Sequence, residues 1–192
     1  MDTKTRLIET TRQLLWRQGY AATGLNQIIA ESGAPRGSIY FHFPGGKEDL
    51  AVAALREAGA GMSDAMRKNF ERRGLREGLR AWVRAVARAM RASDWQAGCP
   101  LATVALEAAA RSEPIREVCD AAFDDWRAIF AAALADEGVD TDRAKSLATT
   151  MLSAIEGALI LSRAARDVAP LASVTDDLLA VLDGEARTAP KR

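Results

Sequence analysis

Apolar residues recur along this chain at the spacing of an α-helix. Leu7, Ile8, Thr11, Leu14 and Leu15 follow the i, i+3, i+4, i+7, i+8 pattern of one buried stripe, and Gly19 stands where a helix ends on a left-handed residue. Thr23 is placed to cap a second, short helix with Leu25, Ile28 and Ile29 on its inner side. Ser32-Gly33-Ala34-Pro35 breaks it. Pro35 suits the start of a third helix, Arg36 to about Phe41, because its missing N–H would be unpaired there anyway. After Pro44-Gly45-Gly46 a longer helix is expected from Lys47 to about Lys68.

Beyond Arg72-Arg73-Gly74 the stripe resumes with Leu75, Leu79, Trp82, Val83, Val86 and Met90. A turn-rich stretch from Asp94 to Pro100 precedes a short helix, Leu101 to Ala110. Pro114 opens the next, with Ile115, Val118, Cys119, Ala122, Phe123, Trp126, Ile129 and Phe130 inward and Glu137-Gly138 as its end. Asp140 or Thr141 caps a long helix to about Val168, and Pro170 opens the last, to about Asp183. The polar tail from Glu185 is expected to fray. No segment alternates with the period of a strand. The pattern predicts an all-α chain of about nine helices, three short ones first. Three short helices bury too little to stand alone, so the domain boundary is expected inside the Lys47 helix, giving 1–48 and 49–192.

Composition acts mainly by exclusion. A chain of 192 residues, 48% hydrophobic and 27% charged, is neither disordered nor fibrous. Its 26 basic and 26 acidic residues cancel, so any contact with nucleic acid needs a local basic patch. The first 47 residues supply one: Lys4, Arg6, Arg12, Arg17, Arg36 and Lys47 stand against only Asp2, Glu9 and Glu31. One histidine, His42, and two cysteines without CxxC spacing, Cys99 and Cys119, give no metal cluster or disulfide framework. With no nucleophile–base pair or phosphate loop either, no catalytic residue, metal or cofactor is expected. The amphipathic start is no signal peptide, and the longest apolar run, Gly157 to Leu161, is far short of a membrane span. A cytoplasmic chain without a membrane partner is expected.

The sharpest local signal is Thr23 to Lys47. A short helix, a tight turn containing Gly33 and a second short helix form a helix-turn-helix, whose second helix enters the major groove with its N-terminus leading. Ala34, Pro35, Arg36 and Gly37 would form the leading edge. Arg36 is the side chain there that can pair bidentately with guanine, and Gly37 lets the backbone approach. Ser38, Tyr40 and His42 can donate to phosphates and Lys47 can place a charge beside them. Thr23 and Asn26 complete the candidate DNA-contacting set. Phe43 reads as a packing residue, and His42 alone equally fits an ordinary half-buried histidine.

Ile8, Leu14, Gly19-Tyr20, Thr23, Ile28-Ile29-Ala30, Gly33, Gly37-Ser38-Ile39-Tyr40-Phe41-His42-Phe43 and Lys47-Glu48-x-Leu50 stand in a pattern that resembles the TetR family of transcriptional regulators. Gly98-Cys99-Pro100-Leu101-Ala102 and the segment Glu156 to Ala164 resemble its LmrA/YxaF-like branch. Two positions depart from the family: Gly24, where Ser or Thr is usual near the helix cap, and Gly45-Gly46, where Ser or Asn commonly precedes the lysine. The resemblance implies a homodimer on a palindromic double-stranded operator, acting as a repressor that a small hydrophobic or aromatic effector releases. Candidate effector-lining residues are Trp82, Met90, Phe123, Trp126, Met151, Ile155 and Glu156, each of which also reads as plain core or, for Glu156, as a solvent-facing or Arg-paired acid. Glu107 carries the same alternatives. Two C-terminal helices per subunit would close a four-helix bundle, with Leu152, Ile155, Leu159, Leu171, Leu178 and Leu182 as candidate dimer-interface residues. Arg76, Arg80, Arg84, Arg88 and Arg91 read as one solvated helix face. A thiol-responsive or ligand-independent DNA-binding regulator is the alternative, and a helical enzyme finds no support.

Overall fold

The computed structural model describes residues 1–188, and the last part of the polar tail lies outside the described residues. Every element described is a helix: α1 Thr3–Ala22, α2 Leu25–Ser32, α3 Gly37–His42, α4 Lys47–Ala92, α5 Pro100–Ala108, α6 Glu113–Asp136, α7 Thr141–Ala165 and α8 Ala169–Thr188. The chain forms two compact units, one of Met1–Gly61 with Gly98–Ala122, the other of Met62–Ala97 with Phe123 onward.

In the first unit the Asp2 carboxylate accepts from Thr5 N–H at 2.7 Å and starts α1. The expected stripe Leu7, Ile8, Thr11, Leu14 and Leu15 is buried, and α2, α3 and α5 all pack against α1. Gly19 leaves helical geometry at φ 77, ψ −176, and one further turn runs to Ala22. The cap of α2 is Gly24, which offers no side-chain acceptor, not Thr23 as the sequence led one to expect. Thr23 is buried instead, donating its hydroxyl back to Gly19 C=O at 2.6 Å. Gly33 ends α2 in the left-handed region, φ 63, and donates to Ile29 C=O at 3.1 Å. A side chain there would crowd its own backbone, so the sharp turn into α3 rests on glycine.

The second unit begins within α4. The expected break at Arg72–Gly74 is a bend at Gly74, φ 73, within one 46-residue helical run, so nine expected helices become eight. Arg76 is not part of a solvated face. It is half-buried, donates to Leu182 C=O at 3.0 Å and pairs with Asp183 and with Glu137, the latter at 3.3 Å. Asp125 on α6 accepts from both Ser63 Oγ and Arg67, each at 2.5 Å. These polar ties join α4 to α6 and α8 around a core of Leu75, Leu79, Met90, Phe130, Leu134 and Met151.

α7 and α8 pack on one another. By length and composition α7 could cross a membrane, with mean hydropathy 1.2, but its inward stripe from Leu147 to Leu159 is used within this unit. That use corrects the expected dimer interface. Leu152, Ile155, Leu159, Leu171, Leu178 and Leu182 are all buried inside the single chain, so none is free to face a partner. The apolar side chains left outward are Ile160, 57% exposed, Leu161, 60%, and Val181, 42%. Ile155→Arg should therefore not yield a folded monomer. Placing an unpaired charge at a site 1% exposed costs at least about 3 kcal/mol, read as a drop in the denaturation midpoint, whereas Ile160→Arg should keep its helical circular dichroism.

Candidate nucleic-acid interface

α2 and α3 follow one another across the left-handed turn at Gly33, the order that the helix-turn-helix spacing predicts. α3 is held by Ile39 inside and by Phe43 just past its end, 1% and 4% exposed. Pro35, Arg36 and Gly37 lie on the outside at its start, with open space around Gly37 where a side chain would project. The guanidinium of Arg36 donates to Asn26 Oδ1 at 3.0 Å. Two residues ten positions apart are thus brought together, and Asn26 orients Arg36 while its remaining N–H groups face outward. Tyr40 is 63% exposed, and Ser38 and His42 are half-buried beside it. Thr23 belongs to the interior, since its hydroxyl is committed to Gly19 and cannot reach a phosphate.

Two features of this surface escaped the sequence reading. Phe41 is 81% exposed on the outer face of α3, edge-on to the His42 ring at 4.8 Å. Lys47 Nζ sits 4.1 Å above the centre of the Tyr20 ring, a cation–π contact that fixes its charge at the start of α4. Burial lowers the Lys47 pKa from its ordinary value, and the negative charge of Glu107 pulls it partly back. The glycine pair before Lys47 has its own support: the Asp49 carboxylate accepts from Gly45 N–H at 2.7 Å.

Glu107 itself is exposed, and its partners are backbone amides and not an arginine. From α5 its carboxylate accepts from the backbone N–H groups of Tyr20, at 2.6 Å, and Ala21, at 2.9 Å. These amides are bare because Gly19 has left the helix. A Cβ at Gly19 would collide with the same carboxylate, so the close approach also needs glycine. No local spacing signals this, since 87 residues separate the partners.

In the second unit the effector-lining candidates sit in the interior. Trp82, Met90, Trp126, Met151 and Ile155 are buried, and Phe123 and Glu156 are half-buried. Trp82 Nε1 donates to Met62 Sδ at 3.1 Å, and Phe130 stacks between Phe70, 5.6 Å away, and Trp82, 6.1 Å away. Phe123 meets Trp126 edge-on at 5.5 Å. Two open grooves of this unit, of about 570 and 480 Å³, are lined by other residues. Of the thiols, Cys119 is buried and pushed up to about 11 by that burial, while Cys99 accepts from Ala102 N–H at 3.4 Å as the cap of α5.

Residues 7–54 match the family described as bacterial regulatory proteins, tetR family. Residues 76–177 match the C-terminal domain of LmrA/YxaF-like transcriptional regulators. The chain belongs to the TetR family. HTH-type transcriptional regulator LmrA of Bacillus subtilis is 35% identical over 175 residues, 91% of this chain and 93% of that one. The HTH-type regulator YxaF of the same organism is 35% identical over 178 residues, 92% of this chain and 93% of that one. A crystal structure of a TetR transcriptional regulator from Legionella pneumophila, 22% identical, shares the fold with TM-score 0.84 over 94% of this chain and 97% of its own. This TetR-family protein is a DNA-binding transcriptional regulator.

On an operator selected from random duplexes, Arg36→Ala should relax preference at one base pair per half-site at a cost of roughly 1–3 kcal/mol. Lys47→Ala should weaken all sequences alike and flatten the dependence on salt. A sequence-neutral Arg36→Ala, read by binding to the single-base operator series, assigns recognition to other residues. Glu107→Ala should remove about 1–2 kcal/mol of stability by stripping the Tyr20 and Ala21 amides of a charged acceptor, seen as a lower denaturation midpoint, and Glu107→Gln, which retains an acceptor oxygen, should restore much of it.

Proposed function

We propose that this regulator works as a homodimeric repressor in the cytoplasm, binding a palindromic operator and leaving it when a small hydrophobic or aromatic molecule binds. In this reading 1–48 serves as the DNA-binding domain and 49–192 as the effector-binding and dimerisation domain. The observation that carries it is Arg36, oriented by Asn26 at the exposed start of α3 with Tyr40 and Lys47 nearby for phosphates. Contacts of this kind read only a few base pairs, so one copy gives little specificity. Two copies related by a two-fold axis double the reading if their recognition helices lie about 34–36 Å apart or a multiple of it. Repression needs no further surface, because occupying a promoter excludes the polymerase.

The dimer contact is supported by what remains outward after α7 and α8 have packed. Gly157, Ile160, Leu161 and Ala164 share one face of α7, and Val181 of α8 is a separate outward apolar residue. Small residues let two such helix pairs approach closely. The effector reading is supported by the aromatic cluster of the second unit. Met62, unbranched and adaptable, touches Trp82 there, and its displacement would admit a flat apolar molecule beside Trp82 and Phe130. A thiol switch is the less favoured reading, because burial keeps Cys119 protonated. A ligand shifts operator affinity only through its different affinity for the two states, and a coupling of about 1–3 kcal/mol gives a change of about 5–150-fold.

Sedimentation and operator binding test both parts together. Ile160→Arg with Leu161→Arg should give folded monomers that bind the operator poorly, and a dimer that persists in this variant contradicts the interface. Any compound that releases the operator should itself bind more weakly, by the same factor, when operator DNA is present. Release without that reciprocity contradicts the effector mechanism.

A further inference from the structure

The arginines at one face of α4 divide sharply in their fate. Arg76 is tied into ion pairs and Arg84 pairs with Glu77 at 2.7 Å. Arg80, Arg88 and Arg91 make no ion pair among the described residues. Arg80, Arg84, Arg88 and Arg91 line one wall of the same groove, of about 480 Å³, between the second half of α4 and the first half of α8. Its floor is apolar, built from Val83 and Ala87 on α4 and from Leu171 and Ala172 on α8. One acid, Asp176, stands on the α8 side.

We propose that this groove binds a single-chain amphiphile with an anionic headgroup, such as an alkyl carboxylate. Three unpaired guanidiniums, with Arg84 held by Glu77, face one carboxylate and leave the rim positive, and a nearby apolar floor gives a bare inorganic anion nothing to cover. A guanidinium pairs bidentately with a carboxylate and, being weakly hydrated, tolerates apolar neighbours. The volume lies in the range of small-ligand sites. From Arg80 to Arg91 the helix rises about 16 Å, so the row offers several headgroup positions along a channel that an extended alkyl chain can follow. The site is separate from the aromatic cluster assigned to the effector and stands whether or not that assignment does.

Isothermal titration of the full chain with sodium dodecanoate, below its micelle concentration, tests this directly. Saturable binding of one dodecanoate per chain is expected, with dodecylamine, cationic at neutral pH, binding at least about ten-fold more weakly. Arg88→Ser with Arg91→Ser, at exposed positions that leave the fold intact, should weaken dodecanoate about ten-fold or more. Ala172→Trp, which fills the channel from an exposed position on α8, should abolish binding with the melting curve unchanged. No saturable binding by the folded protein, or binding indifferent to both variants, overturns the proposal. So does tripolyphosphate binding that matches dodecanoate and is lost equally in the arginine variant, since the row would then serve phosphate alone.

Discussion

A helix of six residues cannot hold its own shape in water, and that constraint governs the reading head of this protein. Nucleation costs more than so few hydrogen bonds return, so α3 exists only where other elements place it. Ile39 and Phe43 anchor it, the left-handed Gly33 sets its angle to α2, and α1 supplies the surface beneath both. α1 is in turn secured at its far end by a carboxylate from α5, through the amides that Gly19 leaves bare. Recognition therefore depends on burial and on backbone capping at residues that touch no DNA. Arg36 and Tyr40, turned outward, and Lys47, held over the Tyr20 ring, inherit their positions from that scaffold.

In the second unit the balance is different. Long helices carry enough buried surface to hold themselves together, and polar groups decide how they are joined. Asp125 gathers Ser63 and Arg67, and Arg76 gathers Glu137, Asp183 and the Leu182 carbonyl. With these arginines committed to structure and Arg84 held by Glu77, Arg80, Arg88 and Arg91 are the ones further along α4 without an ion pair among the described residues. The aromatic cluster around Phe130 is likewise both core and a reservoir of apolar surface, softened by Met62.

Much of this was legible in the residues. Helical periodicity located each element, because a 3.6-residue stripe survives in any soluble helix. Gly33, Pro35 and the short stripes around them exposed the helix-turn-helix. Four things were not legible, because packing decides them. Thr23 turned inward to donate to Gly19 C=O instead of accepting from an amide of α2. The leucines of α7 and α8 fit a dimer seam on sequence alone, yet both helices bury them in their own unit. Glu107 gave no local sign of its backbone partners, and Arg76 looked like its neighbours in the row until Asp183 and Glu137 stood beside it.

The central claim is that Arg36, carried on a helix with no independent stability, reads a guanine in the major groove. Methylation interference on a selected operator tests it most directly, since a methyl group on guanine N7 blocks the acceptor that a bidentate arginine needs. The expected result is one guanine per half-site whose methylation prevents binding of the native protein but makes no difference to Arg36→Ala. Interference that persists at the same guanine in Arg36→Ala, or that is absent from the native protein altogether, would contradict the account.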